Sequence, residues 1–138
     1  MAYYKQNFMR YLDHRGIKYE DCDLYTVRVT WNCENINKIV VVVSFDEDGE
    51  GYVQLSAWAI ANFTGNDEKL LKGLVVCNVL NEKFRWVKFF LDDDKDLNVK
   101  IDAVIDSETV GEECFSLMRR IINIVDEAYP LILKALWG

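Results

Sequence analysis

The chain has 138 residues, of which 51% are hydrophobic and 13% aromatic. This length predicts a single domain over residues 1–138 with a sizeable core, and the composition excludes a disordered or low-complexity chain. Acidic residues outnumber basic ones 23 to 16, which gives a formal net charge of −7. Since no Lys/Arg cluster offers a stripe for tracking phosphates, we expect no nucleic-acid partner. The acidic charge should keep the free protein soluble and favour basic partners.

The elements follow one another in a regular order. Apolar spacing and turn residues predict helices over residues 2–15 and 68–83, and strands over residues 25–31, 39–45, 52–58, 86–91 and 97–105. Short connections favour hairpins between neighbouring strands. Together with the final helix, this predicts an α+β fold in the order α-β-β-β-α-β-β-α. Its five-stranded antiparallel sheet should carry the helices mainly on one face.

The final segment is predicted to be one long helix over residues 109–136. Eight of its apolar residues recur at alternating steps of four and three, at Val110, Cys114, Leu117, Ile121, Ile124, Ala128, Leu131 and Ala135. This spacing places all eight on one stripe of a helix, about 40 Å long at about 1.5 Å per residue. The rest of the chain should supply the surface on which this stripe lies.

Alternation along the strands divides their residues between two faces of the sheet. One face collects most of the apolar residues and should be the core face, covered by the first and last helices. The opposite face should be solvated, yet six apolar residues share its parity, namely Val40, Val42, Tyr52, Trp58, Trp86 and Phe90. We take these six as candidate partner-binding residues, because aromatic anchors carry most of the energy of many interfaces. The alternatives are that the second helix or a loop covers them, or that they are scattered singly.

No set of residues predicts catalysis or a bound cofactor. The best metal candidate is the acidic run at Asp92, Asp94, Asp96 and Asn98, which matches part of a calcium loop. That loop pattern fails because Leu97 replaces its glycine and Ala103 its final glutamate, so a solvated turn is favoured. The single histidine, His14, has no nucleophile motif to serve. We therefore expect that the protein is not an enzyme and that it has no catalytic residue, no metal and no cofactor.

The expected location is the cytoplasm. Charged side chains interrupt residues 1–15, unlike a signal peptide, and no other segment reaches the roughly 18 apolar residues of a membrane span. We therefore expect no membrane partner. The four cysteines, Cys22, Cys33, Cys77 and Cys114, include no CxxC pair. They should be free thiols, with Cys77 and Cys114 packed inside helical segments.

Several segments, taken in order, carry a family resemblance. They are the first helix ending in Gly16 with Tyr19 after it, residues 39–45, residues 79–84, residues 88–92 and residues 126–136. In this order they resemble the YbjN-like proteins, described as bacterial sensory transduction regulators. The resemblance implies a fold similar to type III secretion chaperones, with helices on one side of an antiparallel sheet. It also implies a dimer or adaptor that binds proteins and is not an enzyme, and it carries over no catalytic residue.

The favoured function is a non-enzymatic protein-binding or regulatory domain. Its apolar sheet face would bind a partner protein or a second copy of the chain in a homodimer. One alternative is a secretion-chaperone-like protein that binds an unfolded segment by strand addition or in a groove. Another is a small-ligand-binding domain with an aromatic-lined pocket. A closed cleft with paired carboxylates would instead favour an enzyme.

Overall fold

A computed structural model describes residues 3–46 and 51–138. Within these ranges the chain forms three helices, α1 (Tyr4–His14), α2 (Asp67–Lys83) and α3 (Val110–Trp137). It also forms six strands, which are β1 (Glu20–Asp21), β2 (Thr26–Asn32), β3 (Lys38–Phe45), β4 (Tyr52–Asn62), β5 (Lys88–Leu91) and β6 (Asp96–Val104). The predicted α+β fold is confirmed.

The described strands form one antiparallel sheet in the order β1-β2-β3-β4-β6-β5. The prediction of five strands is corrected to six, because β1 pairs with β2 through Glu20 opposite Arg28 and Asp21 opposite Val27. Both β1 residues are exposed and polar. A two-residue strand of this kind has no hydrophobic alternation, so the sequence pattern could not reveal it.

The helices lie on the face that parity assigned to the core. Buried residues of β3, namely Ile39, Val41, Val43 and Phe45, belong to one hydrophobic core with the buried residues of all three described helices. Helix α2 is part of this layer, since a Cβ added to Gly73 would lie 2.8 Å from Phe63 and 2.9 Å from Leu91. The second helix therefore does not fold over the opposite face.

Helix α3 continues through Pro130, and the proline has a structural use. Because proline lacks an N–H, the carbonyl of Asp126 has no helical donor at position 130. The side-chain amide of Asn35 donates to that carbonyl instead, at 3.0 Å. The Asp126 carboxylate accepts from the backbone N–H groups of Ile36 at 2.9 Å and Asn35 at 2.8 Å. These bonds, that from Ile36 first, lower the pKa of Asp126 and fasten the β2–β3 turn to α3.

Candidate functional site

The face of the sheet opposite the helices is here named the open face, because no described helix covers it. Five of the six predicted partner-binding residues lie on this face, at Val40, Val42, Tyr52, Trp58 and Phe90. Val40, Tyr52 and Trp58 are 41%, 53% and 50% exposed, whereas Val42 and Phe90 are partly buried. Sequence parity thus assigned these five residues to the uncovered side.

The most ordered feature of the open face is an aromatic pair. The rings of Trp58 and Phe90 meet edge to face, with centroids 5.9 Å apart and planes at 89°. Trp58 donates its indole N–H to the hydroxyl of Ser56 at 2.8 Å, and the ammonium of Lys100 lies 5.3 Å from the Phe90 centroid. Edge-to-face pairs are favourable, so the two rings hold each other in place while half of Trp58 stays exposed.

A β-bulge orients this pair. The register of β4 against β6 shifts between Ala57 and Ala61, and Ala59 adopts a φ of 56°. The side chain of Asn98 stabilises the bulge by accepting the backbone N–H of Ala59 at 2.7 Å. Its amide donates to the Asp92 carboxylate at 2.8 Å, and this bond is the main reason why the pKa of Asp92 is lowered. Asn98 has open-face parity but is only 1% exposed, so it is a structural residue that sequence reasoning missed.

Tyr52 lies at the other end of the open face. It is opposite Val104, which is largely exposed, and both residues line a cavity of about 640 Å³ that also includes Gln54 and Asp102. Six residues of strand separate Tyr52 from Trp58, which corresponds to about 20 Å at about 3.3 Å per residue. The open face therefore has two apolar ends joined by a polar middle.

The charges of the open face differ from those of the whole chain. Its strands carry the basic residues Arg28, Lys38, Lys88 and Lys100 and the acidic residues Glu20, Asp96 and Asp102. Arg28 forms an ion pair with Glu20, whereas Lys88 lies directly opposite Lys100. Like charges in directly opposed positions repel each other, so this pair of lysines would gain from an acidic group on a bound molecule.

Trp86 is placed apart from the other five candidates. It precedes β5, has a φ of 77°, and its ring lies under the guanidinium of Arg120 on α3 at 4.7 Å. Its surroundings are therefore those of the helical layer. Parity had assigned it to the open face by extending β5 backwards, and the strand instead begins at Lys88.

The acidic turn after β5 brings three carboxylates together. Oxygens of Asp92, Asp94 and Asp96 lie within 4.8 Å of one another. Asp92 accepts the backbone N–H groups of Asp94 at 2.9 Å and Asp96 at 3.1 Å, and Asp96 accepts from the side-chain amide of Asn62 at 2.8 Å. These hydrogen bonds are those of a turn.

Helix α2 carries a second exposed apolar surface, which sequence reasoning missed. Leu71, Leu74, Val75 and Val79 are 47% to 60% exposed and follow one another at helical spacing, and we name them the α2 stripe. The opposite side of the helix is buried through Gly73, Val76, Cys77 and Leu80. Apolar residues therefore lie on both the buried and the exposed side of α2.

The placement of the cysteines agrees with the sequence prediction. All four cysteines are free, and Cys77 and Cys114 are buried in α2 and α3. Burial raises the pKa of Cys77 to about 11 and that of Cys114 to about 12. Among the described helices, none has the length and apolar character needed to span a membrane.

The chain was compared with known families and sequences. The model of the YbjN family, described as "Putative bacterial sensory transduction regulator", matches residues 6–134. None of the curated protein sequences compared with the chain matches it. The match over nearly the whole chain confirms the resemblance drawn from the sequence.

Solved structures share the fold. YbjN from E. coli gives a TM-score of 0.62 at 16% identity and covers 93% of this chain and 94% of its own. The type III secretion chaperone SycH of Yersinia pestis, solved in complex with a stable fragment of YscM2, gives 0.56 at 17% identity, over 88% and 96%. A chain of the heterodimeric ExoU–SpcU complex from Pseudomonas aeruginosa gives 0.55 at 17% identity, over 88% and 94%. At such low identities these likenesses establish a chaperone-like fold and nothing further.

Proposed function

We propose a function from the premise that the chain belongs to the YbjN family. The protein is a non-enzymatic protein-binding or regulatory domain, and its open face binds a segment of a partner protein. The observation that carries this proposal is the edge-to-face pair of Trp58 and Phe90, which is fixed in place on an uncovered sheet. Rigid, half-exposed aromatic rings are typical anchors of interfaces, because they bury a large area and lose little freedom on binding.

The open face suits an extended segment. The distance of about 20 Å between Tyr52 and Trp58 corresponds to about six residues of extended chain. Such a segment would place apolar side chains at both ends and an acidic one near Lys88 and Lys100. SycH was solved with a fragment of YscM2, which supports a chaperone-like mode of binding on this fold. In this mode the partner would be an unfolded or loosely folded segment.

A non-enzymatic role is supported by the structural use of four groups whose pKa is shifted. The Asp92 carboxylate accepts from the side-chain amide of Asn98 and from backbone N–H groups of its turn, and these bonds lower its pKa. The Asp126 carboxylate accepts backbone N–H groups of the β2–β3 turn, which lower its pKa as well. The thiols of Cys77 and Cys114 are buried, and burial raises their pKa, which disfavours the nucleophilic thiolate. The pKa shift of each of these four groups is therefore explained by hydrogen bonding or by burial, without a catalytic role.

We also place the protein in the cytoplasm. The exposed Cys22 and the partly buried Cys33 are both free thiols. Exposed thiols persist unpaired most readily in a reducing compartment. In the cytoplasm the protein could bind its partner before the partner folds or assembles with other proteins.

The open face can be tested by affinity capture from the lysate of the native host, with bound proteins identified by mass spectrometry. The test variant is Trp58→Lys with Val40→Lys, and the matched control is Leu24→Lys, an exposed apolar residue in the β1–β2 connection. Circular dichroism checks that all variants fold. We expect the wild type and Leu24→Lys to retain the same defined protein, and the double variant to lose at least about nine-tenths of it.

Two results would count against this proposal. If the double variant retains the same protein as the wild type, the open face is not the contact surface. If no form retains a protein, the small-ligand alternative takes precedence, with the cavity of about 640 Å³ beside Tyr52 as the place to screen.

A homodimer is the second part of the proposal, and the α2 stripe supports it. An antiparallel pairing of two α2 helices about a two-fold axis at Val75 sets Leu71 opposite Val79 of the second copy. The same axis sets Asp67 opposite Lys83, so the charged ends attract each other. A two-fold interface needs this self-complementarity. The α2 stripe exposes on the order of a few hundred Å² per copy. A stable interface buries about 800 Å² per copy, and the edge strand β5, which lies beside α2, can supply the additional area.

The test of the homodimer is a mass measurement by light scattering after size-exclusion chromatography. The wild type should have twice the chain mass of 16.1 kDa, and Val75→Glu should have 16.1 kDa. Val104→Glu, at an exposed apolar residue of β6, is the matched control and should remain dimeric. A monomeric wild type at about 100 μM, well above typical dissociation constants of stable dimers, would refute the dimer and leave the open-face proposal intact.

A further inference from the structure

Three of the six arginines in this acidic chain lie around one cavity on the outer side of the helices. The cavity has a volume of about 370 Å³ and is lined by Arg15, Phe115, Ser116, Arg119, Arg120 and Asn123. In sequence Arg15 is about a hundred residues away from the other two, so only the fold brings the three together. The cavity belongs to α1 and α3 and is separate from the open face.

Close packing of α1 against α3 creates this cluster. A Cβ added to Gly111 would lie 2.6 Å from the Cβ of Tyr11, so glycine allows the two helices to approach each other. Arg15 follows the last residue of α1 and therefore projects beside the first turns of α3. On α3, residues 115, 116, 119, 120 and 123 follow helical spacing and form one outward side.

Aromatic rings hold the three guanidinium groups. Arg15 lies 4.4 Å from the Phe115 centroid, and it donates to the Tyr11 hydroxyl at 3.0 Å. Arg119 lies 6.0 Å from the Phe115 centroid, and Arg120 lies 4.7 Å from that of Trp86. A guanidinium stacked on a ring keeps most of its N–H donors free along its edge. The ring contacts therefore leave N–H donors available on all three arginines, apart from the Arg15 N–H that the Tyr11 hydroxyl accepts.

No carboxylate among the described residues neutralises these three charges. The ion pairs within residues 3–46 and 51–138 join Lys5 to Asp21, Arg28 to Glu20, and Lys72 to Glu68. Within the described residues these three neighbouring cations thus form no ion pair, although the chain has 23 acidic residues and a net charge of −7. Their mutual repulsion is relieved when a multiply charged anion binds between them.

We propose that this cavity binds the phosphate group of a small phosphorylated molecule. Arginine pairs bidentately with phosphate oxygens, and three arginines match the about two negative charges of a phosphomonoester or the two to about three of pyrophosphate, together with their several acceptor oxygens. The Ser116 hydroxyl and the Asn123 amide add neutral donors at the same wall. The volume suits a ligand of metabolite size.

The direct test is isothermal titration calorimetry of the full chain with inorganic pyrophosphate at constant ionic strength, with sulfate as the comparison anion. We expect saturable binding in the micromolar to low millimolar range. Arg119→Gln and Arg120→Gln should each weaken binding about tenfold, and Arg120→Lys should weaken it less, because the charge remains. Arg28→Gln, the matched control on the open face, should leave affinity within about twofold of the wild type.

Further results decide the source of the phosphate and the standing of the proposal. Free phosphoserine and a phosphoserine hexapeptide are titrated in parallel. The small-molecule assignment holds if pyrophosphate or free phosphoserine binds at least as tightly as the peptide, and it is overturned if the peptide binds about tenfold more tightly. The site itself is refuted if no saturable heat is seen up to about 10 mM pyrophosphate, or if Arg28→Gln and Arg120→Gln weaken binding equally. Binding is independently followed by tryptophan fluorescence, because Trp86, one of the four tryptophans, contacts Arg120 with its ring.

Discussion

The core face and the open face of the sheet are formed by the same strands but differ in their exposure to solvent. In β3, Val41 is completely buried under the helices, whereas its neighbour Val40 is 41% exposed on the open face. Both residues are valines in the same strand with the same backbone geometry. The difference between them arises only from the alternation of the pleat and from the helices on one side.

This contrast teaches that an apolar strand residue has two possible roles. On the core face it stabilises the fold by leaving water when the chain folds. On the open face it remains partly in water and contributes less to the stability of the fold. This contrast between the two faces can be tested at three places. They are the buried polar residue Asn98, the neighbouring valines Val40 and Val41, and Asp126, which joins α3 to the β2–β3 turn.

The largest effect is expected at Asn98, which has open-face parity but is buried. Asn98→Ala removes the acceptor of the Ala59 N–H and the donor to Asp92, and leaves both groups without these partners. We expect a loss of about 3 kcal/mol in the free energy of unfolding, measured by urea denaturation. Asn32→Ala, at an exposed asparagine of β2, should change it by no more than about 0.5 kcal/mol.

Asn98 also links stability to the proposed function. Since the bulge orients Trp58, Asn98→Ala should weaken partner capture even under conditions in which the variant is fully folded. If Asn98→Ala and Asn32→Ala have equal stability, the bulge does not depend on this side chain. In that case the position of Trp58 must be determined by its contacts with Ser56 and Phe90 alone.

Much of the fold could be predicted because burial follows regular periods. The alternation in β3 predicts its buried side correctly. The steps of four and three predict the long helix α3, but only Val110, Cys114, Ile121 and Ala128 of the eight stripe residues are buried. The buried side is turned toward Met118, Val125 and Ile132, and Leu131 is exposed. The missed features have no period. Strand β1 is short, polar and exposed, and the bulge in β4 depends on hydrogen bonds from Asn98, which is distant in sequence.

The candidate site was predictable only in part, for the same reason. Parity placed Val40 and Phe90 on the open face, but it cannot show where a strand begins, so it included Trp86. The α2 stripe could have been found from the apolar residues on nearly all sides of that helix. The arginine cluster could not, because Arg15 and Arg120 meet only through the packing of α1 and α3.

The comparison of the two faces is tested most directly by the neighbouring valines. Val41→Ala should reduce the free energy of unfolding by about 2 kcal/mol, because it removes buried methyl groups and leaves a cavity. Val40→Ala should reduce it by no more than about 0.5 kcal/mol, because much of that side chain is already in water. Urea denaturation of both variants provides the measurement. Equal losses would mean that something covers the open face in the free protein.

The smallest effect is expected at Asp126, which joins the helical layer to the β2–β3 turn. Asp126→Asn keeps the shape but removes the charge that accepts the N–H groups of Ile36 and Asn35, so we expect a loss of about 1 kcal/mol at pH 7. Because hydrogen bonds from these N–H groups lower the pKa of Asp126 below its ordinary 3.8, its contribution is fully present above that pH. The stabilising contribution of the carboxylate disappears as the pH falls through the lowered pKa, because the carboxyl is then protonated in both the folded and the unfolded chain. Urea denaturation from pH 7 to about pH 2 should therefore show the free energies of unfolding of the wild type and Asp126→Asn converging at the acidic end. Glu127→Gln, at the exposed neighbouring residue, should stay within about 0.5 kcal/mol of the wild type at pH 7. A difference for Asp126→Asn that stays constant or widens at low pH would mean that the turn is held by the bond from Asn35 to the Asp126 carbonyl, which Pro130 leaves free, and not by the carboxylate.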